Sequence, residues 1–337
     1  MISRREFLRR SAQAALAVGG GLTLEALLSS CVTPHVVEKR PVMYSPLKGH
    51  KVQPPKDGCY IGFHREFWNP FYDSFVEQVG KKPKIMIPSL GKVANSKAFP
   101  KWAVKYISSK DAIPLVYRDL SMDILLHGFG DLVDKEEFRR DITKYAKDIV
   151  KFGKPIFIST MRELNGKWFA WGQKPETAKK VWQYMWQIFE DNGANEYATW
   201  VWEVYCPLLK QRKIDSPEGY YPGDKYVDWI GLSAYTRLKE FTPELSFSYL
   251  VAETYRDMRT NHPEKPVMQA EFGRTKTKRQ PRWIRNAYET IKSLPGMKAA
   301  IYWDSVNYSL GDDHTLSGES KKVLREMLED PYFTGAG

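Results

Sequence analysis

The sequence predicts a (β/α)8 TIM barrel, an α/β fold, formed as a single domain over residues 58–337. Three observations carry this expectation. Eight apolar or β-branched runs of strand length follow one another along the chain. Helix-period segments separate most of them, and two glutamates close late runs, where barrels of this class gather their chemistry at the C-terminal ends of strands. The competing arrangement is an open doubly wound sheet. It is disfavoured because no glycine-rich phosphate turn follows the first run and the acidic residues come after late ones.

In chain order the runs are Cys59–Phe63, Lys84–Ile87, Ile113–Tyr117, Pro155–Thr160, Ala198–Trp202, Val227–Leu232, Val267–Ala270 and Ala299–Trp303. The clearest helix lies between the third and fourth, over 135–152, with Phe138, Ile142, Tyr145, Ile149 and Val150 on one face and charges on the other. Val181, Trp182, Met185, Trp186 and Phe189 recur at the same period and read as a helix packed on the barrel. Trp200 and Trp202 alternate along the fifth run, so both face the same side of it.

Upstream of the barrel, Ser3-Arg4-Arg5-Glu6-Phe7-Leu8 has the paired arginines of a twin-arginine export signal. The stretch from Ala12 to Leu28 is weakly apolar, and Gln13, Thr23, Glu25 and three glycines make it a poor membrane-spanning helix. It ends at Leu28-Ser29-Ser30-Cys31, which resembles a bacterial lipobox. The expectation is a cleaved signal peptide over residues 1–30 and a lipidated Cys31, giving an exported, membrane-anchored lipoprotein on the periplasmic or cell-surface side. Residues 31–57 interleave Pro34, Pro41, Pro46, Pro54 and Pro55 with lysines and Arg40, and read as an extended, solvated tether.

The chain carries 51 basic and 40 acidic residues, a net charge of +11. Residues 1–30 hold four arginines and two glutamates, so the remainder has 47 against 38, or +9. No dense basic run appears and the aromatic residues do not interleave with lysines, so no nucleic-acid partner is implied. The barrel is expected to be a monomer. Cys59 starts the first run and Cys206 follows the fifth, near opposite ends of a parallel barrel, so both are expected to be free and buried. The six histidines are scattered, with no pair at helical metal spacing, and neither a metal nor a cofactor is implied.

The two glutamates are Glu163, in Met161-Arg162-Glu163-Leu164-Asn165-Gly166-Lys167-Trp168, and Glu271, in Gln269-Ala270-Glu271-Phe272-Gly273. Hydrolysis of a glycosidic bond with retention needs one carboxylic acid to protonate the leaving oxygen and a second carboxylate to attack the anomeric carbon. Glu163 and Glu271 are therefore the candidate catalytic pair, with a polysaccharide as the expected partner. Glu203, which ends the fifth strand, is the rival carboxylate and is read as a hydrogen-bonding partner for sugar hydroxyls. His64, Tyr117 and Arg118 fall on the same barrel face by position.

These segments resemble glycoside hydrolase family 26, the family of β-mannanases. The resemblance runs from His127-Gly128-Phe129-Gly130-Asp131 through Arg162–Gly172, then Tyr220–Leu232 and Lys265–Gly273, and covers most of residues 58–330. It implies a (β/α)8 barrel and a retaining double displacement on β-linked mannan, with β-glucan and β-xylan as the family's other substrates. It also implies Glu163 as acid/base and Glu271 as nucleophile. Trp168 resembles the aromatic residue lining the family's site, and Tyr235 the tyrosine that hydrogen-bonds the nucleophile. Trp303 resembles the sugar platform of many barrel glycosidases, and Asn165 falls within the acid/base motif as a substrate contact. The chain departs from the family pattern at two positions, with Arg162 in place of the usual histidine and Ser159 in place of an arginine. A cation beside Glu163 favours its ionised form, so a working acid requires either that burial offsets Arg162 or that Arg162 points at substrate. A barrel that binds polysaccharide without turnover, or one acting on β-glucan or exopolysaccharide, is the alternative these departures leave open.

Overall fold

The computed structural model describes residues 44–65, 71–88, 97–207, 216–236, 245–307 and 312–337. The export signal, Cys31 and the first part of the tether lie outside these residues. Eight parallel strands form the barrel: β1 Cys59–Arg65, β2 Ile85–Pro88, β3 Ile113–Tyr117, β4 Ile156–Ser159, β5 Ala198–Tyr205, β6 Trp229–Thr236, β7 Val267–Arg274 and β8 Met297–Trp303. Each pairs with the next, and β8 returns to β1, with Tyr60 opposite Ala299 and His64 opposite Trp303. Closure leaves no free edge within the ring.

The helices are α1 Phe71–Val79, α2 Lys101–Ser108, α3 Ser121–His127, α4 Glu136–Phe152, α5 Pro175–Asp191, α6 Phe247–Asn261, α7 Gln280–Ser293 and α8 Gly318–Leu328. Local chemistry accounts for their limits. α4 has Glu136 and Glu137 in its first turn and ends at Gly153 in the left-handed conformation. α5 begins with Pro175 at a position whose N–H has no helical partner, and the hydroxyls of Ser246 and Ser317 cap α6 and α8. The buried stripe of α4 is Phe138, Ile142, Tyr145, Ala146 and Ile149, whereas Val150 is exposed. Between β5 and β6 the described residues form two 3-10 turns, Pro217–Tyr220 and Asp224–Tyr226, and no α-helix.

Two apolar layers result. Ile85, Ile87, Leu115, Phe157, Val201, Trp229, Met268, Ala299 and Ile301 fill the barrel interior. A larger layer lies between the strands and the helices; there Trp200 meets Trp182 and Phe189, and Trp202 meets Tyr221. Both fifth-strand tryptophans thus face the helices, which sends Val201 and Glu203 inward. Cys59 and Cys206 are buried and free.

Residues 44–57 do not run as a solvated tether. Val52 is buried against the interior layer, its N–H donates to Thr199 Oγ1 at 2.8 Å, and its carbonyl accepts from Trp229 Nε1 at 3.1 Å. Lys51 pairs with Asp228 at 2.7 Å, and Tyr44 donates to the Gly296 carbonyl. One valine in a Pro/Lys-rich segment leaves no periodic signal, yet it suffices to plug the floor of the barrel, where the strands begin.

The strand that carries Glu271 is irregular. Met268 faces the interior and Phe272 packs outward on Phe247, Trp283, Tyr288 and Tyr302. Strict alternation from Met268 would therefore turn both Ala270 and Phe272 inward and Glu271 outward. Instead Leu232 pairs with Gln269 and Ser233 with Glu271, and on the other side Gln269 pairs with Ala300 and Phe272 with Tyr302. Both neighbours thus see one extra residue in β7. This bulge reverses the facing of everything after it, which places Glu271 in the barrel and Phe272 among the helices.

Candidate active site

Alternation along the strands fills the C-terminal mouth with polar side chains above the apolar interior. Two residues above Leu115, Phe157, Val201 and Ile301 stand Tyr117, Ser159, Glu203 and Trp303. To these are added His64 from β1, Tyr205 from β5, Ser233 and Tyr235 from β6 and, through the bulge, Glu271.

Glu163 arrives differently, on the turn after β4, where its φ of 50° puts it in the left-handed region. A non-glycine residue there costs about 1–3 kcal/mol and persists only where its surroundings fix it. Here they do. Leu164 N–H donates to the Glu203 carbonyl at 3.2 Å, Gly166 N–H to the Glu163 carbonyl at 2.8 Å, and Trp171 Nε1 to the Arg162 carbonyl at 2.9 Å. Asn165 completes the brace. Its Nδ2 donates to the Tyr205 carbonyl at 3.1 Å and its Oδ1 accepts from Tyr205 N–H at 2.9 Å, so it extends the β5 backbone as a strand partner would. Asn165 is fully buried, which makes it a holder of the loop and corrects its reading as a substrate contact.

The carboxylates are furnished unequally. Glu271 Oε2 accepts from the Tyr235 hydroxyl at 2.9 Å, and Arg162 Nη1 stands 3.6 Å from its Oε1. Arg162 lies between the rings of Tyr117 and Phe169, at 5.2 and 5.1 Å from their centroids. Burial opposes its charge, but Glu271, Tyr117, Glu203 and Glu163 together hold the guanidinium well above its ordinary range. Glu163 Oε2 accepts a 2.5 Å hydrogen bond from Trp168 Nε1. Its proton affinity is nevertheless raised, first by burial and then by the charge of Glu271, against the opposing effects of Trp168, Arg162 and the Ser233 hydroxyl. Burial therefore offsets the odd arginine, whose ion partner is Glu271.

Glu203 has no exposure at all, and burial followed by the charges of Glu271 and Glu163 pushes its carboxyl well above the usual range. His64 is pushed down to about 3 by burial and by Arg162, so it stands as a neutral imidazole, stacked on Trp303 with centroids 3.5 Å apart and planes within 4°. Tyr117 and Tyr235 are both raised, by burial first and by the nearby carboxylates next, and keep their hydroxyl protons. Trp168, about half exposed (52%), packs its ring edge-on against Tyr205 at 4.7 Å. Arg118 does not reach the mouth; it is buried and bonded to Asp123 and the Asp119 carbonyl. Among the described residues no cluster of His, Cys, Asp or Glu has the arrangement to hold a metal ion.

The structure thus brings together Glu163, Glu271, Arg162, Trp168, Tyr235, Trp303, Glu203 and His64 at one mouth. The sequence reading passed over Phe169, Ser233 and Tyr205. Tyr205 and Ser233 follow Glu203 and Gly231 at the strand period of two and were accessible from alternation alone. Phe169 lies on a loop without period.

Residues 137–260 match the family model for glycosyl hydrolase family 26. Endoglucanase H of Acetivibrio thermocellus is 29% identical over 198 residues, which is 56% of this chain and 21% of that protein. A mannan endo-1,4-beta-mannosidase of Bacillus subtilis is 28% identical over 92 residues, 25% of this chain and 24% of the relative. The chain thus spans about a quarter or less of the length of these relatives. The family 26 β-mannanase BoMan26A of Bacteroides ovatus superposes with a TM-score of 0.63 at 15% identity, over 83% of this chain and 91% of that one, a likeness of fold.

Proposed function

We propose that this barrel is a retaining glycoside hydrolase acting on a β-linked polysaccharide by double displacement. The observation that carries the proposal is the unequal furnishing of two carboxylates at one mouth. Glu163, desolvated and facing the charge of Glu271, holds its proton and serves as acid/base, protonating the leaving oxygen and then activating water. Glu271, hydrogen-bonded by Tyr235 and beside Arg162, attacks the anomeric carbon. The aromatic faces of Trp168 and of the His64–Trp303 stack supply apolar platforms for pyranose rings.

β-1,4-Mannan is the substrate we propose first, on the family resemblance. The endoglucanase name on the relative with the longest match supports a β-glucan as the second reading. We also propose that residues 1–30 direct export and that Cys31 carries a lipid, so that the enzyme works as a membrane-anchored lipoprotein at the periplasmic or cell surface.

The test is a pair of variants assayed on a panel of mannans, glucans and xylans and on an aryl glycoside with an activated leaving group. Glu271→Ala abolishes the glycosyl-enzyme and all turnover. Glu163→Ala loses polysaccharide hydrolysis but forms the glycosyl-enzyme from the aryl substrate, whose departure needs no proton. Equal loss on both substrates rejects the role assignment, and wild-type inactivity on the entire panel favours a polysaccharide-binding barrel without turnover.

A further inference from the structure

A third carboxylate shares the mouth and has no place in the two-residue mechanism. Glu203 is fully buried on β5, and neither of its oxygens forms a hydrogen bond with another protein group. The Tyr117 hydroxyl from β3 stands beside it and beside Glu271 without closing to hydrogen-bond geometry with either. The remaining charged neighbours are Arg162 and Glu163 from the turn after β4 and Glu271 from β7. From β6 come Ser233 and, directly opposite Glu203, Gly231.

That glycine matters. A methyl group at Gly231 would lie 2.9 Å from Val201 Cγ1, 3.1 Å from Ala270 Cβ and 3.2 Å from Glu203 Cγ. The absence of a side chain lets β5 and the bulge of β7 approach each other across β6, which brings Glu203 beneath the carboxylate pair. Three carboxylates and one guanidinium therefore share a space from which water is largely excluded, and only one net anion can be balanced there at low cost.

We propose that Glu203 is a positioning residue that remains a neutral carboxylic acid, so that the resting mouth carries a single anion, Glu271, balanced by Arg162. Its neutrality spares Glu163 a second repelling charge. The inference rests on the hydrolase reading for its consequence in catalysis, but not for the protonation state itself. Burial, and then the charges of Glu271 and Glu163, hold Glu203 well above the usual carboxylate range. A buried carboxylic acid kept neutral to donate a hydrogen bond is an established device in active sites of other folds.

The experiment compares the full chain with Glu203→Gln, a neutral side chain of the same shape. At neutral pH the infrared difference spectrum between them should lose one protonated-carboxyl band, and loss of a carboxylate stretch in its place overturns the proposal. On polysaccharide, Glu203→Gln should leave the alkaline limb of the pH profile in place. If Glu203 were an anion, its removal would relieve Glu163 of repulsion and move that limb to lower pH, which also overturns the proposal. Should the variant fail to fold, carbon-13 NMR of wild-type protein labelled at the glutamate carboxyl carbons needs no substitution. Because Glu163 also holds its proton, two resonances at the protonated position are expected at neutral pH, and one or none refutes the inference. An enzyme inactive on every polysaccharide that nonetheless shows the band would defeat the hydrolase reading alone.

Discussion

Asn165 distinguishes a loop held by the scaffold from a loop that reaches for sugar. Asn165→Ala removes two hydrogen bonds to the Tyr205 backbone, at 2.9 and 3.1 Å, from a fully buried site. At about 1 kcal/mol net per bond the loss starts near 2 kcal/mol, and it rises toward about 4 kcal/mol if the Tyr205 N–H and C=O stay buried without partners. For a domain of this size each kcal/mol lowers Tm by roughly 2 °C, so a fall of about 4–8 °C is expected in calorimetry. Asn165→Asp should fall between the two proteins, because it still accepts from Tyr205 N–H but turns an oxygen toward the Tyr205 carbonyl. Glu163 sits two residues upstream in its left-handed conformation, so the same variants should lower kcat while leaving KM close to its original value. An unchanged Tm together with a raised KM would refute the reasoning and return Asn165 to the substrate.

Two further outcomes follow from the site and the leader. Trp168→Phe keeps an aromatic face but deletes the donor that favours ionised Glu163, so the acid stays protonated to higher pH and the alkaline limb for polysaccharide moves upward, with no such move on an activated aryl glycoside; a limb that stays or falls contradicts the assignment. Cys31→Ser should release the exported protein from membranes in soluble form, whereas unchanged attachment would identify residues 12–28 as an uncleaved anchor.

The barrel was legible because closed parallel strands, covered by helices, leave near-continuous apolar runs of fixed length, and all eight runs fall on observed strands. Glu163 and Glu271 were legible as acidic residues ending such runs. The means by which Glu271 enters the mouth was not, because the bulge at Gln269–Glu271 exists only as a register between neighbouring strands and leaves the composition of β7 unremarkable. Arg162 was recognised as unusual, but its partner could not be read from proximity in sequence. Glu163 is its neighbour along the chain, while the guanidinium stands near Glu271, more than a hundred residues on. The Pro/Lys-rich stretch before β1 misled for a related reason. Proline-rich sequence lacks period whether it is solvated or packed, and only the hydrogen bonds to Thr199 and Trp229 from distant strands decide that Val52 is buried.

That strap also gives the domain a direction. The chain comes into the barrel at Tyr44 and Lys51, on the floor, and the carboxylates lie at the far rim, the full height of the strands away. Tyr44 and Lys51 therefore lie at the opposite end of the barrel from Glu163 and Glu271. A long polymer lying across the rim therefore meets the loops that follow the strands and none of the strap.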